Sequence, residues 1–319
     1  MKQKFENIII KKNYFNFFVY ISLFFLLVLG TGIYKDYGIS VDEPFQRASG
    51  YYWYLSILEN FTNNSKELDF LRNNFEKMEW SNALLEGAFI QYGAFFDTLL
   101  VFLESKLNIT NTKDIYEFKH FANFIVFYIS SIFFLLLIKN RFKNNFLTLT
   151  GFFFYITSPR IFGSSFYNCK DIIFMSLTII SIYFAVKLLT KIKIKNILFF
   201  SIFAGLATSV RIMGIFYFLL LFIFLIIENY ENNLSFKKKF SYFFLIISSY
   251  FVFTYIFWPY LWTDPVKKFF EAFQYFQRFG WDGSVFYLGN YVKANSLSWH
   301  YPIVWIFITT PLFYLILFL

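Results

Sequence analysis

The first chemistry that the sequence offers is acid–base chemistry from two adjacent carboxylates, Asp42 and Glu43. They lie in the segment GISVDEPF, which follows the first long apolar run of the chain. A carboxylate held at a membrane surface can act as a general base toward an acceptor hydroxyl. In the alternative interpretation the loop is solvated, and Asp42 or Ser40 caps a helix that begins near Pro44. The local residues leave both interpretations open.

Basic residues flank a short polar turn farther along the chain, with Arg160 before it and Lys170 after it. Both cations can hold a phosphate, and the guanidinium of arginine can do so with two parallel donors. The alternative is an ion pair between Arg160 and Asp171 that ties two helix ends together.

Arg211 separates two short apolar segments, 196–210 and 213–227, each about 15 residues long. At 1.5 Å per residue each spans roughly 22 Å, which is less than the ~30 Å hydrocarbon core. We therefore expect Arg211 to lie at membrane depth facing the protein interior, where an ionised side chain predicts a functional site. The alternative is an arginine that extends from a helix end toward water.

The last polar segment contributes Trp262, next to a turn framed by prolines, and His300, at the start of an apolar run. Both are candidates for binding or orienting a substrate. His300 can bind a metal, a phosphate or a sugar hydroxyl, or it can be a satisfied group at the membrane interface. The sequence leaves the identity of any metal open.

The chain that carries these candidates has the composition of a membrane protein, because 58% of its 319 residues are hydrophobic and only 15% are charged. Soluble domains have about 25% charged residues. The single cysteine, Cys169, excludes an internal disulfide framework. We predict an all-α polytopic helix bundle. Its predicted spans are Tyr14–Ile33, His120–Ile138, Asn145–Thr157, Ile172–Leu189, Asn196–Val210, Met213–Ile227, Phe240–Pro259 and Pro302–Leu319.

The segment Leu84–Leu103 is apolar but contains Glu86, Gln91 and Asp97. A charge near the middle of a span costs roughly 2.5–3.5 kcal/mol. We therefore predict that this segment is an interfacial or re-entrant helix on the outer side.

Lysine and arginine placement supports this topology. The predicted inner segments carry 14 basic and 3 acidic residues, whereas the outer segments carry 15 and 17. Basic residues favour the cytoplasmic side, so we predict a multi-pass protein of the plasma (inner) membrane with a cytoplasmic N-terminus. The charge distribution accounts for the net charge of +9 and argues against a nucleic-acid partner.

The predicted organisation is a single membrane domain over residues 1–319 with two long outer loops, 34–119 and 260–301. Interfacial helices are expected in the first loop. Because the sequence ends inside an apolar run, we expect it to be the N-terminal part of a longer protein.

An Asp-Glu pair just after the first span, a long first outer loop and a second loop after the seventh span resemble the GT-C superfamily of membrane glycosyltransferases. The pattern is most similar to the protein O-mannosyltransferases (glycosyltransferase family 39) and the lipid A aminoarabinose transferases. Leu85-Glu86 resembles the place where the latter have an acid followed by Lys-Pro, although Gly87-Ala88 stand there in this sequence.

This resemblance implies that Asp42 is the catalytic base with Glu43 beside it, and that Glu86 contributes to substrate binding. It implies that the donor phosphate is bound near Arg160, Asp171 and Arg211. Lys170 lies beside Asp171 at the end of the same polar turn and is a further candidate for binding the phosphate. The expected reaction is an inverting transfer of a sugar from a polyprenyl-phosphate carrier to a hydroxyl of a protein, lipid or glycan. It needs no cofactor, because the lipid phosphate already activates the sugar, and the sequence leaves open whether a divalent cation takes part.

A transporter or flippase for a lipid-linked sugar is the alternative function. Transporters tend to show inverted repeats and broken helices at the midplane. No repeat is apparent here, and the candidate charges fall on one predicted face.

Overall fold

A computed structural model describes residues 2–61, 65–231, 235–278, 280–281 and 283–318. Within these residues the chain is almost entirely helical. The helices are α1 (Lys2–Ile33), α2 (Glu43–Phe61), α3 (Ser65–Glu76), α4 (Ser81–Leu85), α5 (Phe95–Lys106), α6 (Thr112–Phe142), α7 (Asn145–Ile156), α8 (Pro159–Tyr167), α9 (Asp171–Thr190), α10 (Ile194–Val210), α11 (Gly214–Glu231), α12 (Phe236–Phe257), α13 (Pro265–Gln277), α14 (Tyr301–Thr309) and α15 (Leu312–Phe318).

Four helical segments are long and apolar enough to cross a membrane: Tyr14–Asp36, Thr112–Phe142, Asp171–Thr190 and Lys237–Phe257. The helices α7, α10 and α11 are apolar and shorter. The prediction of an all-α polytopic bundle is confirmed, and each of the first seven predicted spans falls on a helix.

The prediction of one continuous last span, Pro302–Leu319, is wrong for the residues that the structure describes. The helix breaks between α14 and α15, where Thr310 adopts an extended backbone ahead of Pro311. A proline disfavours helical backbone at the preceding residue and lacks the N–H that a helix requires. The last residue, Leu319, lies outside the described part of the chain.

The helix α9 lies at the centre of the bundle, because it packs against α6 on one side and against α10 and α11 on the other. One apolar core joins α1, α6, α7 and α8 to α9, and a second joins α9 to α10, α11 and α12. Buried small residues of α10, including Ala204, Ala207 and Ser209, allow its neighbours to approach closely. This arrangement brings the first turn of α9 and the last turn of α10 to the same end of the bundle.

The helix α2 packs against α3, α4 and α5 around an apolar core of their own, and α5 also packs against α9 and α10. The predicted single helix over Leu84–Leu103 is wrong. The segment breaks after α4, where Gly87 (φ 86°) and Phe89 (φ 61°) adopt left-handed backbone, and it resumes as α5. Glycine adopts this conformation without steric cost.

The segment after α12 contains one element that the sequence analysis did not predict. Strands β1 (Ser284–Tyr287) and β2 (Asn290–Lys293) pair antiparallel, joined through Leu288 and Gly289 with positive φ. Two residues with positive φ match the twist of a tight hairpin. The helix α13 precedes this hairpin, and Phe279 lies outside the described residues.

Candidate active site

A cavity of about 370 Å³ opens at one end of the helix bundle, between the start of α2, the turn after α4, the start of α9 and the end of α10. It combines two acids, two bases, two amides and a group of aromatic rings. Its lining residues are Val41, Asp42, Phe45, Gln46, Trp80, Phe89, Tyr92, Asn168, Lys170, Asp171, Arg211 and Trp281. Four of the residues singled out from the sequence, which lie up to 169 positions apart, therefore meet in one cavity: Asp42, Lys170, Asp171 and Arg211.

Asp42 lies directly before α2, and its backbone carbonyl accepts a hydrogen bond from the backbone N–H of Gln46 at 3.0 Å. Its side chain is exposed, and its carboxylate makes no hydrogen bond or ion pair with the described residues. The predicted cap by the side chain of Asp42 or Ser40 does not form. Asp42 therefore keeps its acceptor capacity for a ligand of the cavity.

Glu43, the first residue of α2, accepts the backbone N–H of Ser40 through Oε2 at 2.6 Å and so closes the turn that precedes the helix. Glu43 is buried, and its Oε1 lies 3.0 Å from Nε2 of His120 on α6. The ammonium of Lys119 donates to the carbonyl of Glu43 at 3.4 Å. Glu43 does not line the cavity, so this geometry favours a positioning role over direct contact with substrate.

Lys170 is buried and fully engaged. Its Nζ lies 2.6 Å from Oδ2 of Asp97 on α5 and 2.5 Å from the carbonyl oxygen of Gly93. The charge of Asp97, which argued against a membrane span, thus meets a cation from a different part of the chain. A buried ion pair requires both partners, because either one alone would be an uncompensated charge. Lys170 lines the cavity with its charge already balanced.

Asp171 pairs with Arg211, with 2.5 Å between Oδ1 and Nη2. The alternative pair from the sequence, Arg160 with Asp171, does not form. Arg160 lies in the first turn of α8, exposed and away from the cavity. The prediction that Arg160 contributes to a phosphate site is untested, but the structure does not bring Arg160 to the other candidates.

Arg211 follows α10 in extended backbone, with its amide bonded to the carbonyl of Ala207 at 2.9 Å. Its side chain is 40% exposed, while Nε is buried and has no partner among the described residues. The guanidinium therefore presents unused donors beside the Asp171 pair.

Gly93 brings the turn after α4 against the end of α10. A Cβ at this position would lie 1.7 Å from the carbonyl oxygen of Ser209, so only glycine permits this approach. The contact sets Phe89 and Tyr92 beside Arg211 in the cavity wall. Burial raises the pKa of the Tyr92 phenol, Tyr275 and Asp42 add to the increase, and Arg211 opposes it. Tyr92 therefore remains a neutral hydrogen-bonding group at physiological pH.

Aromatic rings cluster around Phe45 in the cavity lining. Its ring centroid lies 5.4 Å from Trp80, 5.6 Å from Phe89 and 6.1 Å from Tyr92. Rings of this kind offer apolar faces with polar tips at their edges. Together with carboxylate and amide groups they suit a sugar, which has apolar C–H faces and a rim of hydroxyls.

The sequence analysis missed several residues of this site, notably Gln46, Asn168 and the partner of Lys170. Gln46 Oε1 accepts a hydrogen bond from the thiol of buried Cys169, and burial raises the pKa of that thiol. Asn168 donates to Asp171 at 3.1 Å. The charge of Asp97 inside an apolar segment was the one signal that could have pointed to this part of the site.

Three other predicted residues lie away from the cavity. Glu86 is exposed at the end of α4. The indole of Trp262 donates to the carbonyl of Tyr255 at 2.8 Å, and the residue lines a separate apolar cavity of about 360 Å³. Nδ1 of His300 lies 2.5 Å from the hydroxyl of Tyr287 on β1. Within the described residues no group of three or more His, Cys, Asp or Glu side chains is arranged to hold a metal.

Comparison with known protein families identifies a match within this chain. Residues 117–258 match the family model of dolichyl-phosphate-mannose-protein mannosyltransferases. The matched range runs from α6 to the end of α12 and includes Lys170, Asp171 and Arg211, whereas Asp42 lies before it. No curated protein and no solved structure matches the chain significantly. The family match confirms the resemblance, and with the apolar helices it supports a multi-pass membrane glycosyltransferase of the GT-C kind.

Proposed function

We propose that this protein transfers a sugar from a polyprenyl-phosphate carrier to an acceptor hydroxyl at the outer face of the membrane. One observation carries the proposal: the unpaired carboxylate of Asp42 shares a cavity with the guanidinium of Arg211. Such a cavity combines a proton acceptor with a cation that can bind the leaving phosphate. The match to a mannosyltransferase family supports a lipid-phosphate sugar as the donor class.

In the proposed reaction the acceptor oxygen attacks the anomeric carbon from the face opposite the phosphate. Its proton passes to Asp42, the new glycosidic bond forms, and the bond between the anomeric carbon and the phosphate oxygen breaks. The phosphate leaves with that electron pair, and the anomeric configuration inverts. Asp42 later returns the proton to water. A positioned general base typically contributes 10²–10⁴-fold to the rate.

Arg211 has its proposed role at the leaving group. Negative charge on the phosphate grows as the bond between the anomeric carbon and the phosphate oxygen breaks. A fixed cation therefore stabilises the transition state more than the ground state. Asp171 occupies one arm of the guanidinium and so fixes its orientation, and Arg211 lines the cavity. No cofactor is part of this scheme, because the bond to phosphate already activates the sugar.

The outer position of the cavity rests on charge. The basic clusters of the sequence lie at the opposite helix ends: Lys139 and Arg141 in the last turn of α6, Lys191–Lys195 at the junction of α9 and α10, and Lys237–Lys239 in the first turn of α12. Clusters of this kind favour the cytoplasm, which supports an outer position for Asp42 and Arg211.

The test is sugar transfer by the full-length protein in lipid nanodiscs. Polyprenyl-phosphate donors with radiolabelled mannose, glucose or aminoarabinose are supplied with candidate protein, glycan and lipid acceptors. We expect labelled sugar on one acceptor together with stoichiometric release of polyprenyl phosphate. A donor that is consumed equally by the parent protein and by Asp42→Asn, or a donor that crosses the bilayer with its sugar still attached, would contradict the proposal.

A further inference from the structure

A second cavity of about 590 Å³ adjoins the candidate active site. The two share Phe89 and Trp281, which form the boundary between them. The rest of its wall comes from the turn after α4, from the last two turns of α13 and from the segment that follows α13. A molecule bound in it would therefore lie directly beside the cavity of Asp42 and Arg211.

The side chains of this second cavity are rich in hydrogen-bonding groups. Gln274 in α13 and Arg278 directly after it line the cavity and are exposed. Glu271 Oε2 accepts hydrogen bonds from Lys268 at 2.8 Å and from Tyr260 at 3.1 Å. The contact with Lys268 lowers the pKa of Glu271, so its carboxylate is ionised and can accept further donors.

Gln91 adds an independent indication. Its amide oxygen is buried and has no hydrogen-bond partner among the described residues, although the residue lines the second cavity. A buried acceptor without a partner costs free energy. A small rotation of this side chain toward the cavity that it lines would let a hydroxyl of a bound molecule donate to that oxygen and remove the cost.

The junction supplies an apolar surface. Trp281 is 53% exposed, and it and Phe89 border both cavities. Aromatic faces next to amides, a carboxylate and a guanidinium match a molecule with apolar C–H faces and many hydroxyls. The apolar cavity lined by Trp262 contrasts with this one, because most of its lining groups are hydrocarbon.

We propose that this second cavity binds the acceptor of the reaction, and that the acceptor is a saccharide. The inference rests on the proposed function, because it assumes that a sugar is transferred in the adjoining cavity. An acyl chain fits the polar lining poorly. A peptide is the competing occupant, and the experiment below includes it.

The experiment measures binding directly, with the purified full-length protein on a panel of immobilised oligosaccharides of hexose, pentose and aminosugar units. Serine- and threonine-containing peptides and glycerolipids are included on the same panel. We expect retention on at least one oligosaccharide. Gln274→Ala and Arg278→Ala should each lower its affinity about tenfold, as expected for a lost hydrogen bond to a charged or polar partner.

The matched control is Gln277→Ala, because Gln277 is exposed on the same helix but does not line the cavity, and it should bind like the parent. Failure to retain any oligosaccharide, retention of a peptide or lipid instead, or parent-like affinity in both variants would overturn the inference. Sugar release from the donor is measured separately on the parent protein. Saccharide binding without release contradicts only the proposed reaction, whereas release onto a peptide or lipid contradicts only the saccharide assignment.

Discussion

The carboxylate of Glu43 lies 3.0 Å from Nε2 of His120, and this contact joins the first residue of α2 to α6. The same carboxylate accepts the N–H of Ser40, so it spans the turn that contains Asp42. Because Glu43 and His120 are both 1% exposed, water cannot easily replace either partner. The position of Asp42 therefore depends on a buried contact between residues 77 positions apart.

We predict that Glu43→Gln reduces turnover less than Asp42→Asn does. Glutamine keeps the size of the side chain and one acceptor oxygen, so the bond to Ser40 can persist. Glu43→Ala removes both contacts and should lower stability by about 1–3 kcal/mol, the usual cost of leaving buried polar groups unpaired. Turnover, donor KM and thermal stability are measured for each variant. A larger turnover loss in Glu43→Gln than in Asp42→Asn would make Glu43 the base.

Asp42→Asn should lower turnover on the order of 10²–10⁴-fold, the range typical of general base catalysis. Donor binding should persist, because the proposed phosphate contact is made by Arg211. The matched control is Asp36→Asn, since Asp36 is exposed in the same segment and does not line the cavity. Turnover at the parent rate in Asp42→Asn, with parent-like protein yield, would exclude Asp42 as the base.

Arg211→Ala should weaken donor use by about 10- to 100-fold, which corresponds to losing a hydrogen bond to a charged group. Arg211→Lys should restore only part of this loss, because lysine lacks the planar fork of donors. Asp171→Asn should have a smaller effect, since it changes the orientation of Arg211 and leaves its charge. Donor KM and turnover are the measured quantities. Parent-like kinetics in both Arg211 variants would favour the interpretation of an arginine that only extends toward water.

Asp97→Asn should destabilise the protein by about 3–5 kcal/mol, because it leaves the ammonium of Lys170 buried without its counter-charge. The double variant Asp97→Leu with Lys170→Met should recover much of this loss, since no charge then remains buried. Thermal unfolding in detergent measures both effects. As a control, Lys113→Gln removes a 3.7 Å pair with Glu117 in which Lys113 is 79% exposed, and it should cost less than about 1 kcal/mol. Equal unfolding temperatures for Asp97→Asn and Lys113→Gln would contradict the buried pair.

Cysteines introduced at Lys238 and Asp264 should be labelled from opposite sides of the membrane, Lys238 from the cytoplasm and Asp264 from outside. The two positions lie at opposite ends of α12, a helix long enough to cross. The native Cys169 is buried, so it should label poorly and provides an internal background. Labelling of both positions from one side, or with the sides reversed, would contradict the topology and the outer position of the cavity.

The sequence by itself was sufficient for the helical membrane architecture, and four of its nine candidate residues, Asp42, Lys170, Asp171 and Arg211, line the cavity. Apolar run length and the distribution of lysine and arginine are local properties, so seven predicted spans fall on helices. The turns that contain the four cavity residues meet at one end of the bundle. Backbone breaks were harder to predict. The left-handed turn near Gly87 and the hairpin at Leu288 and Gly289 depend on a few dihedral angles that leave little trace in hydropathy.

Only the tertiary structure decided how the charges are paired. The sequence places Asp42 and Glu43 side by side, yet the fold exposes one carboxylate and buries the other against His120. The fold likewise pairs Asp171 with Arg211 rather than with Arg160, which is nearer in the sequence. These choices depend on which side chains helix packing brings within about 3 Å, and such long-range contacts have no signature in residue type or spacing. The physical reason is that ion pairs form between side chains that are close in space. Which side chains are close depends on how the helices pack, and many apolar contacts together determine that packing.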